Sequence, residues 1–311
     1  MTTPPPPTTA EALAASGAPL PASPAHRGAA AGAAAAADDA QPLLVIEPQH
    51  GFVRLDPREL WHYRDLLYFL TWREISLRYK QTVLGFAWAI IQPLMTMVVF
   101  TVFLGRLAKM PSDGIPYPIF SYLGLLPWTY FANGLTRSGT SLVSNSQLLS
   151  KVYFPRLLIP LSGVLSAVVD FVVALAVLIG LMFWYGIHPK ASIVLLVPLT
   201  LLTAVAAMGV GMWLAALNVK YRDVTHAVPF LIQVWMYATP VVYPASVVPE
   251  RWRPLFALNP LAGIIEAFRA ATLGRPISWS LLGVSAVSTL VALLLGLWQF
   301  GRMERTFADV V

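Results

Sequence analysis

The sequence predicts an all-α polytopic membrane protein with six transmembrane helices, an N-terminal amphipathic interface helix, and outer re-entrant helices between spans five and six. Two observations carry the membrane assignment. Of 311 residues, 57% are hydrophobic and 12% are charged, about half the charged share of a soluble domain. So few charges do not cover a water-facing surface of this size. The charges are also gathered so that long uncharged runs lie between them. There is no cysteine, which excludes disulfide frameworks, thiolate metal sites and cysteine nucleophiles.

The elements follow in order. Residues 1–41, dominated by Ala and Pro, read as a disordered cytoplasmic tail. Its first basic residue is Arg27 and Asp38–Asp39 follow the alanines, the wrong order for a secretory signal. Residues 42–311 form the transmembrane domain. Within it, 59–80 is charged every few positions and does not span. Helical phasing sets Leu60, Tyr63, Leu67, Leu70 and Leu77 against His62, Asp65, Arg73, Ser76 and Lys80. This fits an amphipathic helix in the inner interface, and equally a helix packed on a partner subunit.

The uncharged runs are Gln81–Gly105, Gly114–Thr136, Ala191–Val219, Val224–Pro249 and Pro276–Gly301, with Leu157–Pro189 interrupted only by Asp170. A crossing helix needs about 20 apolar residues, so the six runs predict spans over about 82–105, 114–136, 157–185, 191–217, 227–245 and 277–300. The inner side then takes 14 basic residues and the outer side 7. That bias puts both termini in the cytoplasm. Trp184–Tyr185, Tyr243 and Trp279 fall where interfacial aromatics are expected.

Between spans five and six, 247–273 is too charged to cross and too apolar for a solvated loop, and Pro254 and Pro260 break it. It reads as short helices dipping into the outer half of the membrane, or as an amphipathic helix on the outer surface. No G-x-x-x-x-G-K-[ST] loop or H-E-x-x-H spacing is present, and the five histidines are scattered, so neither bound ATP nor a metal is expected in this chain. Asp170 is the one acid inside a span. Either it is functional, or it is protonated and hydrogen-bonded between helices. The many span aromatics suit packing, and also a sliding carbohydrate. Two inner loops, Thr140–Arg156 and Asn218–His226, are candidates for docking a soluble partner or for interfacial packing.

YKQTVLGFAWAIIQPLMTMVVFTVFLGRLAKMPSDGIPYPIF (79–120), KVYFPRLLIPL (151–161), ATPVVYP (238–244) and VPERWRPLFALNPLAGIIEAFRAA (248–271) resemble the membrane subunit of ABC-2 type polysaccharide exporters. These are permeases for O-antigen, capsule and teichoic-acid chains, and the likeness runs in order through residues 43–311. It implies a homodimer paired with two copies of an ABC ATPase subunit, with ATP and Mg on that partner and no cofactor here. Helices one and five line the channel in this family, which makes Trp88, Phe100, Trp235 and Tyr237 path candidates. Ser144, Asn145, Gln147 and Lys151, with Tyr221 and Arg222, are the implied ATPase-coupling residues. The implied cargo is an undecaprenyl-pyrophosphate-type lipid-linked polysaccharide, and membrane lipids but no nucleic acid are the other partners. Arg54, Arg58, Arg64 and Lys80 at the inner interface suit its pyrophosphate, or lipid anchoring. The alternatives are an exporter of a smaller lipid or drug-like compound, a secondary carrier using Asp170, and a polysaccharide-assembling enzyme.

Overall fold

A computed structural model describes residues 61–80, 85–151 and 154–304. The tail 1–41, Arg54, Arg58, the start of the predicted interface helix at 59–60 and the predicted opening of span one at 82–84 lie outside the described residues. Among the described residues the chain is helical throughout, without strands.

Helix α1 is Arg64–Tyr79 and α2 is Trp88–Phe100. Pro93 lies inside α2, where its missing N–H and its ring interrupt the hydrogen-bond ladder. The helix continues as widened π turns over Thr101–Leu107. Three residues at positive φ, Lys109, Asp113 and Gly114, then turn the chain back. Helix α3, Tyr117–Ser144, is the longest, and α4, Ser146–Lys151, follows after a break at Asn145. Next come α5 (Leu158–Trp184), α6 (Leu196–Lys220, entered through a 3-10 turn) and α7 (Val224–Ala238). Two short helices, α8 (Arg253–Ala257) and α9 (Pro260–Leu273), precede α10 (Trp279–Glu304).

Helix α3 is the axis of the bundle. It packs most extensively on α6 and α5, and also meets α2, α7 and α9, while α10 lies against α6 and α9. The helices approach closely where small residues meet, as is usual for spans that pack without a water-driven force between them. A Cβ on Gly296 of α10 would run into the Gly209 carbonyl of α6, and one on Gly163 of α5 would lie 2.9 Å from the Ser138 amide of α3.

Among the described residues four helices are long and apolar enough to cross a membrane: Trp88–Leu107, Leu158–Trp184, Ala191–Lys220 and Trp279–Glu304. The other two predicted spans differ for separate reasons. Tyr117–Ser144 has the length but a more polar sequence, and most of it is buried against other helices rather than exposed. A helix that faces protein on all sides needs no lipid-like surface. Val224–Ala238 is apolar but has 15 residues, a rise of ~22 Å against a hydrocarbon core of ~30 Å.

The predicted face of α1 is half right. Tyr63, Leu67 and Leu70 do pack on the core, joined there by Leu66, which the phasing did not place on that face, and the helix rests chiefly against α5. Leu77 is exposed instead, Arg73 is drawn in toward Asn145, and the outward side carries Trp61, Tyr68, Phe69 and Trp72 beside Asp65. Toward its C-terminal end α1 is held by polar partners rather than by Leu77, with Arg73 on Asn145 and Arg78 and Tyr79 on Asp170. Between spans five and six, the chain forms the short helices expected from Pro254 and Pro260, with α9 largely buried among α10, α3 and α6.

Candidate functional site

Asp170 lies about three turns into α5, some 18 Å from its start by helix rise. Its carboxylate is not solitary. Arg78 and Arg137 both donate to Oδ2 and the Tyr79 hydroxyl donates to Oδ1. Three elements meet there: the last turn of α1, the middle of α5, and α3 two turns before its end. Arg137 also donates to Ser166 Oγ at 2.9 Å, and Ser166 stands one turn earlier on α5. Arg137 and Asp170 are each 15% exposed, whereas Arg78 is 42% exposed. Burial, reinforced by the carboxylate beside it, pushes the Tyr79 phenol upward, so it stays a donor. The sequence leaves Asp170 as either a functional acid or a protonated one hydrogen-bonded between helices; here it bonds to residues of α1 and α3 and faces two guanidiniums.

Next to this cluster a cleft of about 500 Å³ opens between α1, α2, α3 and α5. Arg78, Tyr79 and Asp170 form one end. Gln92, Thr129 and Asn133 supply neutral hydrogen-bonding groups, and Trp88, Trp128 and Tyr130 supply ring faces. Among the described residues Asp170 is the only acid lining it. Two guanidiniums against one carboxylate leave one positive charge in excess. The cleft therefore suits an anionic head joined to an apolar or carbohydrate body.

At the opposite end of α3 a second ionic group holds the turn after α7. Arg269 of α9, 4% exposed, pairs with Glu266 at 3.1 Å and donates to the Val241 carbonyl at 2.6 Å. Its guanidinium lies 3.9 Å from the centre of the Phe120 ring. Gly124 is required here, since a Cβ would overlap the Val241 carbonyl and sit 2.5 Å from Arg269 Nη2. Asn259 caps α9 by accepting from the Leu261 amide and also accepts from Trp235 Nε1 at 3.2 Å. Beside it an apolar pocket of about 600 Å³ is walled by Trp235, Tyr243, Trp252 and Phe256.

The four aromatic path candidates do not converge. Trp88 is exposed in the cleft, Trp235 is half-buried in the pocket at the α9 end with its ring perpendicular to Phe131, Phe100 packs on the core, and Tyr237 is exposed on α7. Of the interface cations, Arg64 stacks over Trp61 at 5.3 Å and Lys80 is exposed at the end of α1. Of the coupling candidates, Ser144, Gln147 and Lys151 are exposed around α4, as are Tyr221 and Arg222 in the turn before α7. Asn145 is buried, with its side chain accepting from Arg73 and donating to Ser141 O. That turn is itself tied to α3, because Asn218 donates to the Gly139 carbonyl and accepts from Thr225. Among the described residues no group of three or more His, Cys, Asp or Glu is placed to hold a metal.

Arg78, Tyr79, Arg137 and Arg269 were not singled out from the sequence. Arg137 left one signal: it is the first charge after an uncharged run, and the apolar Leu142–Val143 pair follows it before the chain breaks.

Comparison with known proteins follows the same outline. Residues 65–273 match the family described as ABC-2 type transporter. The chain is 34% identical over 216 residues to the O-antigen export system permease protein RfbA of Myxococcus xanthus, covering 68% of this chain and 82% of that one. To the protein of the same name from Klebsiella pneumoniae it is 30% identical over 250 residues, 79% and 95% of the two chains. To the polysialic acid transport protein KpsM of Escherichia coli it is 26% identical over 238 residues, 75% and 91%.

Proposed function

The chain belongs to the ABC-2 type transporter family, and from that membership we propose that it is the channel-forming permease subunit of an ATP-driven exporter of lipid-linked, O-antigen-like polysaccharide. The observation that carries the reading is that an O-antigen export permease and a polysialic acid transport protein align through most of this chain and nearly all of their own length. ATP is hydrolysed on a separate ABC subunit, present in two copies, which this chain meets through the exposed Ser144, Gln147 and Lys151 and through Tyr221 and Arg222.

Two copies of the chain form the channel. Helices α2 and α7 support this, since they are apolar, lie at the edge of the bundle and keep exposed faces at Met95, Val99 and Phe103 and at Phe230, Val234 and Tyr237. In the full arrangement Tyr117–Ser144, and Val224–Ala238 together with the chain after it as far as residue 245, complete six spans. Helices α8 and α9 re-enter the outer half of the membrane, and both termini are cytoplasmic. Closure of the ATPase pair displaces α4, and α3 carries the displacement because α4 follows it directly.

The reading is tested by deleting the gene and restoring it alongside the cognate ATPase. Surface polysaccharide is lost on deletion, lipid-linked polymer accumulates inside, and both effects reverse only when both proteins are present. Unaltered surface polysaccharide on deletion, or restoration by the permease with an inactivated ATPase, overturns the proposal. Export of a smaller lipid without any polymer defect points to the narrower cargo.

A further inference from the structure

We infer that Arg78 is a ligand for a lipid-borne diphosphate headgroup, held in reserve by Asp170, and that the arriving headgroup displaces the carboxylate and unlatches α1 from α5. The inference rests on the reading that the cargo is lipid-linked, and it adds where the head binds and what it competes with.

Three features of the cluster point this way. Its charges do not balance: Arg78 and Arg137 face a single acid, so an anion entering the cleft meets net positive charge. The two arginines are also unequal. Arg137 has Ser166 as a second partner and is nearly buried, so it stays on Asp170. Arg78 is 42% exposed and opens on the cleft, so it can turn to a competing anion. A diphosphate offers more acceptor oxygens than a carboxylate and matches the planar fork of a guanidinium. Finally, the cleft has the lining of an amphiphile site. Gln92 and Asn133 can donate to phosphate oxygens, and Trp88 and Phe171 line the wall for the first carbons of the chain.

The consequence is a substrate-dependent latch. With the cleft empty, α1 is fixed to α5 by Arg78 and Tyr79 and to the break before α4 by Arg73 on Asn145. When the headgroup takes Arg78, the first of these attachments weakens. The change is passed along α1 to Asn145, next to the segment that meets the ATPase.

The test is equilibrium binding of farnesyl diphosphate to the full chain in nanodiscs without an ATPase, followed by calorimetry. Arg78→Gln is expected to weaken binding at least about tenfold, the scale of a lost charge-assisted hydrogen bond. Asp170→Asn is expected to tighten it severalfold, because the competitor is removed while the cleft remains. A pair that is merely structural does not give these opposite signs. Unchanged affinity in Arg78→Gln, or weaker binding in folded Asp170→Asn, overturns the inference. If Asp170→Asn does not fold, amide exchange at residues 76–80 of the unsubstituted chain decides. Faster exchange with farnesyl diphosphate supports the latch, and unchanged exchange overturns it. Inorganic pyrophosphate and phosphatidylglycerol are the comparison probes, and equal binding of either one overturns the lipid-diphosphate assignment. No ATPase or polymer enters this assay, so its failure leaves the export reading standing, and an export failure leaves the binding result intact.

Discussion

Arg269 holds three unlike partners at once, and Arg269→Met removes all three while keeping an unbranched side chain of similar length. The ion pair to Glu266, the hydrogen bond to the Val241 carbonyl and the contact with the Phe120 ring are lost together. Breaking a buried pair from one side costs about 3–5 kcal/mol. Glu266 is 25% exposed and keeps the Ala245 amide, so water relieves part of its cost and the figure belongs at the lower end. The orphaned Val241 carbonyl adds about 1–3 kcal/mol, offset by the guanidinium no longer having to be desolvated. The net expectation is a loss of about 3 kcal/mol, read as reversible unfolding in mixed micelles by tryptophan fluorescence. A double-mutant cycle with Glu266→Gln sharpens the result. Each single change leaves an unpaired charge and the double change leaves none, so the double variant should lose less than the sum of the two. A loss below about 1 kcal/mol for Arg269→Met, or strict additivity in the cycle, refutes the view that this cluster fixes the turn after α7.

Gly296→Ala forces a methyl group onto the Gly209 carbonyl and should cost about 1–3 kcal/mol or more, seen as loss of monodisperse protein on gel filtration. Gly180→Ala, with nothing within 4 Å of the added carbon, should stay within about 1 kcal/mol of the parent. Asn259→Ala removes the cap on α9 and the partner of Trp235 Nε1 and should cost about 2 kcal/mol in the same unfolding assay. Lys151→Glu should abolish co-purification with the ATPase while leaving thermal stability unchanged, because Lys151 is exposed. Asn145→Ala should lower stability, because Asn145 is buried and bonded to Arg73 and Ser141.

The uncharged runs located the long helices because lipid contact and lack of charge coincide wherever a helix faces outward, as along Leu158–Trp184 and Trp279–Glu304. The same rule ended span two at Thr136, although α3 runs on to Ser144. A charge ends an uncharged run but does not end a helix when a facing helix supplies the opposite charge, as Asp170 does for Arg137. Counting charge along the chain treats each residue as if it met only lipid or water. Pairs 33 and 92 residues apart, such as Arg137–Asp170 and Arg78–Asp170, are invisible to it. The inner loop after α3, the proposed coupling segment, shows the same limit on a smaller scale. Its polar residues are alike in sequence, yet the break at Asn145 turns one inward and leaves Ser144 and Gln147 outside.

Both ionic groups attach a peripheral segment to α3: Arg137 receives α1 through Asp170, while Phe120 and Gly124 receive Arg269 and the turn after α7. Gly124 and Arg137 are 13 residues apart, ~20 Å along a helix, so the attachments lie near opposite ends of one rigid element. An apolar contact at either place has no ligand that can compete for it. A charged contact can be exchanged for another anion, provided that anion reaches it. Arg269, 4% exposed, is out of reach, whereas Arg78, 42% exposed, is open to the cleft. The same kind of bond therefore makes a fixed anchor at the α9 end and an exchangeable one at the α4 end. In the proposed export cycle, a stroke delivered through α4 would reach both attachments along α3, and only the exchangeable one would depend on whether an anion is already bound in the cleft.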